Sequence, residues 1–162
     1  MEWSEVIENE ILQNLPFKIE LDEWGNVVMS PASNSHSFIQ GIIIEILLQL
    51  KKGGRVFPEC SVATSKGVKV ADVAWLSSAF IAKNKLETPY RAAPELCVEV
   101  VSPSNSRAEM QQKRDLYFAK GAQEVWLCSE ERVTFFNHYG EVASSDLFPD
   151  FPSVLELDLP DV

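Results

Sequence analysis

The chain of 162 residues is 46% hydrophobic and 10% aromatic, enough to bury the core of one domain. Its net charge of −10 argues against a generic nucleic-acid binder, because phosphate contacts need Lys and Arg and a negative field repels a polyanion. The charge is uneven, however: residues 1–50 hold one Lys against eight acids, whereas residues 51–120 hold twelve Lys and Arg against seven acids, so the middle of the chain is net basic.

From the N-terminus, Ser4 is expected to cap a short amphipathic helix over residues 4–14, with Val6, Ile7, Leu12 and Leu15 on its apolar side. A hairpin follows, in which Phe17-Lys18-Ile19-Glu20-Leu21 alternates, Trp24-Gly25-Asn26 turns and Val27-Val28-Met29 returns. Ser33 or Ser35 opens a long helix to about Lys52, stopped by Gly53-Gly54, and its apolar positions Ile39, Ile42, Ile43, Ile46 and Leu50 recur at core-packing spacing. Residues 55–63 and 68–76 read as two strands joined by the turn Thr64-Ser65-Lys66-Gly67, and residues 77–93 as a loop with at most one helical turn.

Leu96 to Val101 is a nearly continuous apolar run between Pro94 and Pro103, the pattern of a central strand buried on both faces. Ser106 and Glu109 form a capping box for a helix from Arg107 to Lys120 that stops at Gly121. A strand over 124–128 and its antiparallel partner over 133–136 follow, then a loop and a short edge strand at Leu155-Glu156-Leu157. A strand, a helix and another strand in succession make a crossover unit, so the predicted fold is one α/β (α+β) domain over residues 1–162 with a mixed central sheet. Cys60, Cys97 and Cys128 lack the close pairing of a zinc site and read as small buried hydrophobes. The apolar run Ile42-Ile43-Ile44 is interrupted by Glu45 and too short to cross a bilayer, and the N-terminus has no basic start or apolar core of a signal peptide, which points to the cytosol.

Two residues break the burial pattern. Alternation from Val68 to Leu76 places Asp72 on a face otherwise made of Val68, Val70, Ala74 and Leu76, and Glu99 shares a face with Cys97 and Val101 in the apolar strand. A buried carboxylate persists only if hydrogen-bonded, paired with a cation or bound to metal. One alone is commonly a satisfied core group, but two on neighbouring strands repel unless a cation sits between them. Carboxylate oxygens suit a hard ion such as Mg²⁺, and an inward-reaching lysine on the following helix would complete a set fit for phosphodiester hydrolysis. No phosphate-binding Gly-rich loop, serine nucleophile elbow or zinc-protease helix is present.

The stretches Val70-Ala71-Asp72-Val73-Ala74-Trp75, Ala93-Pro94-Glu95-Leu96-Cys97-Val98-Glu99-Val100-Val101-Ser102-Pro103-Ser104, Lys113-Arg114-Asp115-Leu116-Tyr117 and Gly121-Ala122-Gln123-Glu124-Val125-Trp126-Leu127 resemble the Uma-type endonucleases of the PD-(D/E)XK nuclease superfamily. The resemblance runs from His36 to Leu155-Glu156-Leu157 and is most specific around Glu99. It implies a restriction-endonuclease-like fold, a metal-dependent endonuclease acting on DNA, and Asp72 and Glu99 as the two superfamily acids that bind Mg²⁺ or Mn²⁺. The chain departs from the pattern in two places. Ala71 replaces the proline before the first acid, and Val101 stands where the superfamily lysine belongs, two residues after the second. The family pattern points instead to Lys113 as the catalytic ammonium.

Lys113 shares a helical face with Met110 and Tyr117, so it either reaches the acids or runs past Tyr117 to solvent. Tyr117 reads as a core residue, His36 as a local cap or core hydrogen bond, His138 as a surface residue, and Glu45 as solvated; Glu59 is ambiguous. Two functions compete: a DNA endonuclease, expected to act as a homodimer because double-strand cutting by one-site enzymes takes two protomers, and a nuclease-fold binding module without turnover, suggested by Val101 and by the acidic ends, residues 121–162 holding one Arg against nine acids. Asp72 and Glu99 facing an open cleft together favour the first; either one sealed by Arg or Lys favours the second.

Overall fold

A computed structural model describes residues 1–158. In chain order the elements are α1 (Trp3–Glu8), α2 (Glu10–Gln13), β1 (Phe17–Leu21), β2 (Val27–Pro31), α3 (Asn34–Gln49), β3 (Arg55–Thr64), β4 (Gly67–Leu76), α4 (Ser78–Asn84), β5 (Leu96–Val101), α5 (Arg107–Ala119), β6 (Glu124–Ser129), β7 (Arg132–Asn137) and β8 (Gly140–Val142). β3 to β8 form one six-stranded sheet in that order, and β1–β2 is a separate hairpin. Within the large sheet β5 and β6 run parallel, from Leu96↔Glu124 to Val101↔Ser129, because α5 carries the chain back between them. The other pairings are antiparallel, so the sheet is mixed, as the crossover pattern predicts.

The helices lie on opposite faces. Ile39, Ile43 and Leu47 of α3 pack on Val73, Trp75, Leu96, Val98 and Trp126. Tyr117 of α5 packs on Ala74, Leu76, Cys97 and Val125 on the other side. This explains why β5 reads as an unbroken apolar run: Leu96, Val98 and Val100 meet α3's layer while Cys97 meets α5's. The sheet's edges are blunted against further pairing. β8 is three residues long, and the β3 edge is covered by Tyr90, whose backbone exchanges hydrogen bonds with Ser61 and Ala63.

Five local expectations need correction. The N-terminal helix is two short ones. Glu2 and Glu5 form the capping box of α1, Ser4 lies inside it, and the Asn9 side chain breaks the run by accepting the N–H groups of Ile11 and Leu12 to start α2. α3 begins at the Ser33 cap but ends before the glycines, since Lys51 already adopts a left-handed φ of 49°. Residues 78–84 form a helix rather than a loop, capped by the Ser77 hydroxyl on the Phe80 N–H. Ser106 caps α5, but Glu109 reaches Asn105 instead of closing the box. Finally, Leu155-Glu156-Leu157 is not an edge strand. Leu155 is pulled into the core with Phe148 and Phe151, only the Arg132↔Val154 bridge forms there, and the edge is β8.

The segment that crosses α3's face of the sheet is held by a buried carboxylate. Glu124 accepts from Trp126 Nε1 at 2.8 Å, the Ser145 hydroxyl at 2.6 Å and the N–H groups of Asp146 and Leu147 at 2.7 and 2.9 Å. Four donors satisfy its lone pairs within the core, so it needs no further cation. Glu124→Ala would strand those donors, and we predict a loss of about 3 kcal/mol of stability, read as a lowered midpoint of urea unfolding with the slope unchanged.

Candidate active site

β4 and β5 pair from Trp75↔Leu96 to Val73↔Val98. Their ladder stops there, one step short of Asp72 and Glu99. Both acids are 1% exposed, at the point where the strands part. Asp72 Oδ2 accepts the Val100 N–H at 2.7 Å across the gap, and its backbone carbonyl accepts from Gln40 Nε2 at 2.6 Å. Glu99 Oε1 accepts the Tyr117 hydroxyl at 2.6 Å.

The hairpin closes the gap. Alternation along β1 puts Lys18 and Glu20 on one face, and that face is turned inward against the acids. Lys18 Nζ lies 3.0 Å from Asp72 Oδ1, 3.0 Å from Glu99 Oε2 and 3.9 Å from Glu20 Oε1. Glu20 Oε1 accepts the Val70 N–H at 2.8 Å and Lys113 Nζ at 2.8 Å, and Lys113 also stands 3.5 Å from Glu99 Oε2. Lys113 is therefore buried among carboxylates and does not run to solvent. Below the site Leu21 of the hairpin packs with Val68 of β4 and Val6 of α1. Gly67, at φ +86°, lies so close to the carbonyls of Leu21 and Asp22 that a Cβ there would collide with them.

His36, in the first turn of α3, stands with Nε2 3.4 Å from Asp72 Oδ2, and its Nδ1 is buried with no partner among the described residues. Asp72, Glu99, Lys18, Lys113 and His36 line one open cleft of about 460 Å³. Glu59 is at its rim, bonded to Gln40. Glu45 is exposed on α3 beside Gln49 and does not line the cleft. Val101 opens onto a separate groove with Met110 and Arg114. His138 is a surface residue whose ring lies tilted against Phe118, and the three cysteines are buried and unpaired.

Electrostatics divide the acids. Burial would raise the Asp72 carboxyl, but the His36 hydrogen bond, the Lys18 charge and the Val100 N–H overcome it and hold Asp72 well below the usual carboxylate range. For Glu99 burial prevails over the attraction of Lys113 and Lys18, with Asp72 adding repulsion, and the carboxyl is pushed up. In Glu20 burial loses to the Lys113 and Lys18 charges, and the group is lowered. Burial works against the Lys18 charge, yet Glu99, Asp72 and Glu20 together raise its pKa. Burial and Glu99 keep Tyr117 protonated as a donor.

Sequence reasoning missed Lys18, Glu20 and Gln40. The only signal for the first two was their shared face on β1, which reads equally well as the solvated side of a hairpin. The donor chemistry suits a hard divalent ion. Asp72 Oδ1 and Glu99 Oε2 already share one cation, the Lys18 ammonium, and Mg²⁺ is commonly held by one or two carboxylates plus water. Among the described residues no three His, Cys, Asp or Glu side chains form a ready cage, so such an ion would complete its shell with solvent.

His36 provides a test of the pairing. Its pKa is raised above 6.5, first by the Asp72 hydrogen bond and against partial burial. Because the folded value lies above the unfolded one, the stabilisation is complete below about pH 6.5 and is lost as pH rises through the folded pKa. We expect the stability gap between wild type and His36→Gln to shrink over that rise. Asp72→Asn should bring the His36 NMR titration back toward 6.5.

Residues 6–160 match the family described as "Uma2: Putative restriction endonuclease". Among solved structures, the crystal structure of "a putative nuclease belonging to DUF820" from Anabaena variabilis ATCC 29413 superposes with a TM-score of 0.66 at 18% sequence identity, covering 86% of this chain and 87% of that one. At that identity the likeness concerns the fold, which is that of a mixed sheet flanked by helices. No curated protein matches the chain. With nearly its whole length matched, the chain belongs to the Uma2 family of restriction-endonuclease-like proteins.

Proposed function

We propose that the chain is a divalent-metal-dependent endonuclease that hydrolyses phosphodiester bonds of DNA. The observation that carries this reading is the convergence, in one open cleft, of Asp72 and Glu99 from two strands with Lys113 from α5, whose ammonium Glu20 of β1 holds. Asp72 and Glu99 would hold Mg²⁺ or Mn²⁺. A bound ion supplies polarisation of the phosphoryl oxygen and a lowered pKa for the attacking water. Tyr117 and the Val100 N–H fix the two carboxylates in place, and Glu20 orients the Lys113 ammonium beside Glu99. From there Lys113 is set to neutralise charge that develops on the scissile phosphate, taking the part of the lysine absent at position 101.

The same site contains one observation in favour of a binding module without turnover: a lysine ties the two acids together and both are nearly inaccessible. Cleavage of mixed DNA substrates separates the readings. The endonuclease reading expects cutting in Mg²⁺ or Mn²⁺ that is abolished by chelation and by Asp72→Ala. DNA binding without metal-dependent cutting in the wild type supports the module.

No described helix is long and apolar enough to cross a membrane, and we read the protein as one that works in the cytosol on both strands as a homodimer. Light scattering at high concentration should give twice the chain mass. Lys113→Met keeps most of the stem, and we expect cleavage slowed by roughly a hundredfold with a melting temperature confirming that the variant folds. Cleavage at the wild-type rate would remove Lys113 from the mechanism.

A further inference from the structure

Lys18 is not explained by the proposed hydrolysis, in which the acids need a divalent ion between them and Lys113 supplies the ammonium. From the geometry we infer that Lys18 is a built-in counter-ion that competes with the metal: it closes the site when no divalent ion is present and must be displaced for one to bind. This rests on the metal-dependent reading above.

Three observations support it. The Lys18 ammonium lies 3.0 Å from one oxygen of each acid, Asp72 Oδ1 and Glu99 Oε2. Their other oxygens are taken, by the Val100 N–H and His36 on Asp72 and by the Tyr117 hydroxyl on Glu99. Lys18 therefore occupies the carboxylate oxygens that those hydrogen bonds leave for a cation. Charge balance points the same way. Glu20, Asp72 and Glu99 face Lys18 and Lys113, and removal of Lys18 alone leaves the group two negative charges in excess when all three carboxyls are ionised, which matches one divalent ion.

The third observation is an exit. Lys18 is 12% exposed in its side chain and lines the open cleft, where the Asp72 and Glu99 side chains are only 1% and 2% exposed. A flexible four-carbon stem on β1 can swing toward the cleft without moving the backbone, while the carboxylates stay held by their hydrogen bonds. Lys113 is less exposed, 8% in its side chain, and is paired at 2.8 Å with Glu20, which Lys18 approaches only to 3.9 Å. The device sets a threshold: a divalent ion must outcompete a lysine that is already in place, and its apparent affinity is its intrinsic affinity multiplied by the fraction of molecules in the open form.

The test is a calorimetric titration of the chelator-treated full chain with MnCl₂, for wild type, Lys18→Met and Lys18→Arg, beside melting curves with and without the ion. Lys18→Met should bind Mn²⁺ about tenfold or more tightly than wild type, the effect of removing roughly 1.4 kcal/mol of competing contact. Its metal-free form should melt lower than wild type, so the ion raises its melting temperature further. Lys18→Arg keeps the charge and the fold but grips carboxylates with two parallel hydrogen bonds, and it should bind Mn²⁺ more weakly than wild type. Should Lys18→Met fail to fold, the Arg variant still decides. Equal affinities for wild type and the Lys18 variants, with binding lost in Asp72→Asn, would overturn the counter-ion while leaving the metal reading intact. No Mn²⁺ binding by any of the proteins would overturn both.

Discussion

Three carboxylates brought within the reach of two ammonium groups organise this protein. Asp72 and Glu99 project from strands that pair as far as Val73 and Val98 beside them and then separate, and without a cation between them their repulsion would add to the cost of burial. The Lys18 ammonium meets that need at 3.0 Å from each. Glu20 and Lys113 extend the alternation of sign one step further. A network of this kind is sensitive to the removal of any member, because each charge is buried on the assumption that its partner is there.

This requirement gives the β1–β2 hairpin its purpose. The hairpin is not part of the main sheet, and its seat on Val68 is small. Polar contacts hold it as well: the Val70 N–H to Glu20, Lys69 to the Leu21 carbonyl, and the Lys66–Glu23 ion pair. Gly67 allows the two backbones to approach closely at the turn where those contacts begin. A short hairpin held in this way can carry charged groups into a site that the large sheet, built for apolar packing on both faces, has no room to supply.

Glu124 shows what an ordinary buried carboxylate looks like in the same sheet. Its partners are a Trp indole, a Ser hydroxyl and two backbone N–H groups, all neutral donors, and it pins the loop that lays Phe148 and Phe151 over Trp126. Asp72 and Glu99 instead depend on lysines that line a cleft. The contrast separates a carboxylate that holds the fold together from carboxylates whose compensation can be exchanged for another cation.

Local patterns in the sequence determined much of the architecture. The apolar run at Leu96–Val101 required a strand covered on both faces, the helical spacing of Ile39 and Ile43 required a helix packed on it, and Ser106 marked where α5 starts. The same reasoning singled out Asp72 and Glu99, since a charge in an apolar strand is visible without coordinates. Short-range chemistry misled it where a weak signal met a tertiary demand, as at Leu155, which the core withdrew from strand pairing, and at Asn9, whose side chain divided a continuous helical pattern. Lys18 and Glu20 lay beyond its reach for a different reason. Alternation along a strand says which residues share a face but not what that face meets, and a polar face is the same in sequence whether it touches water or buried acids. Only the docking of β1 against β4 decided that, because the charges that make the face necessary come from positions more than fifty residues away along the chain.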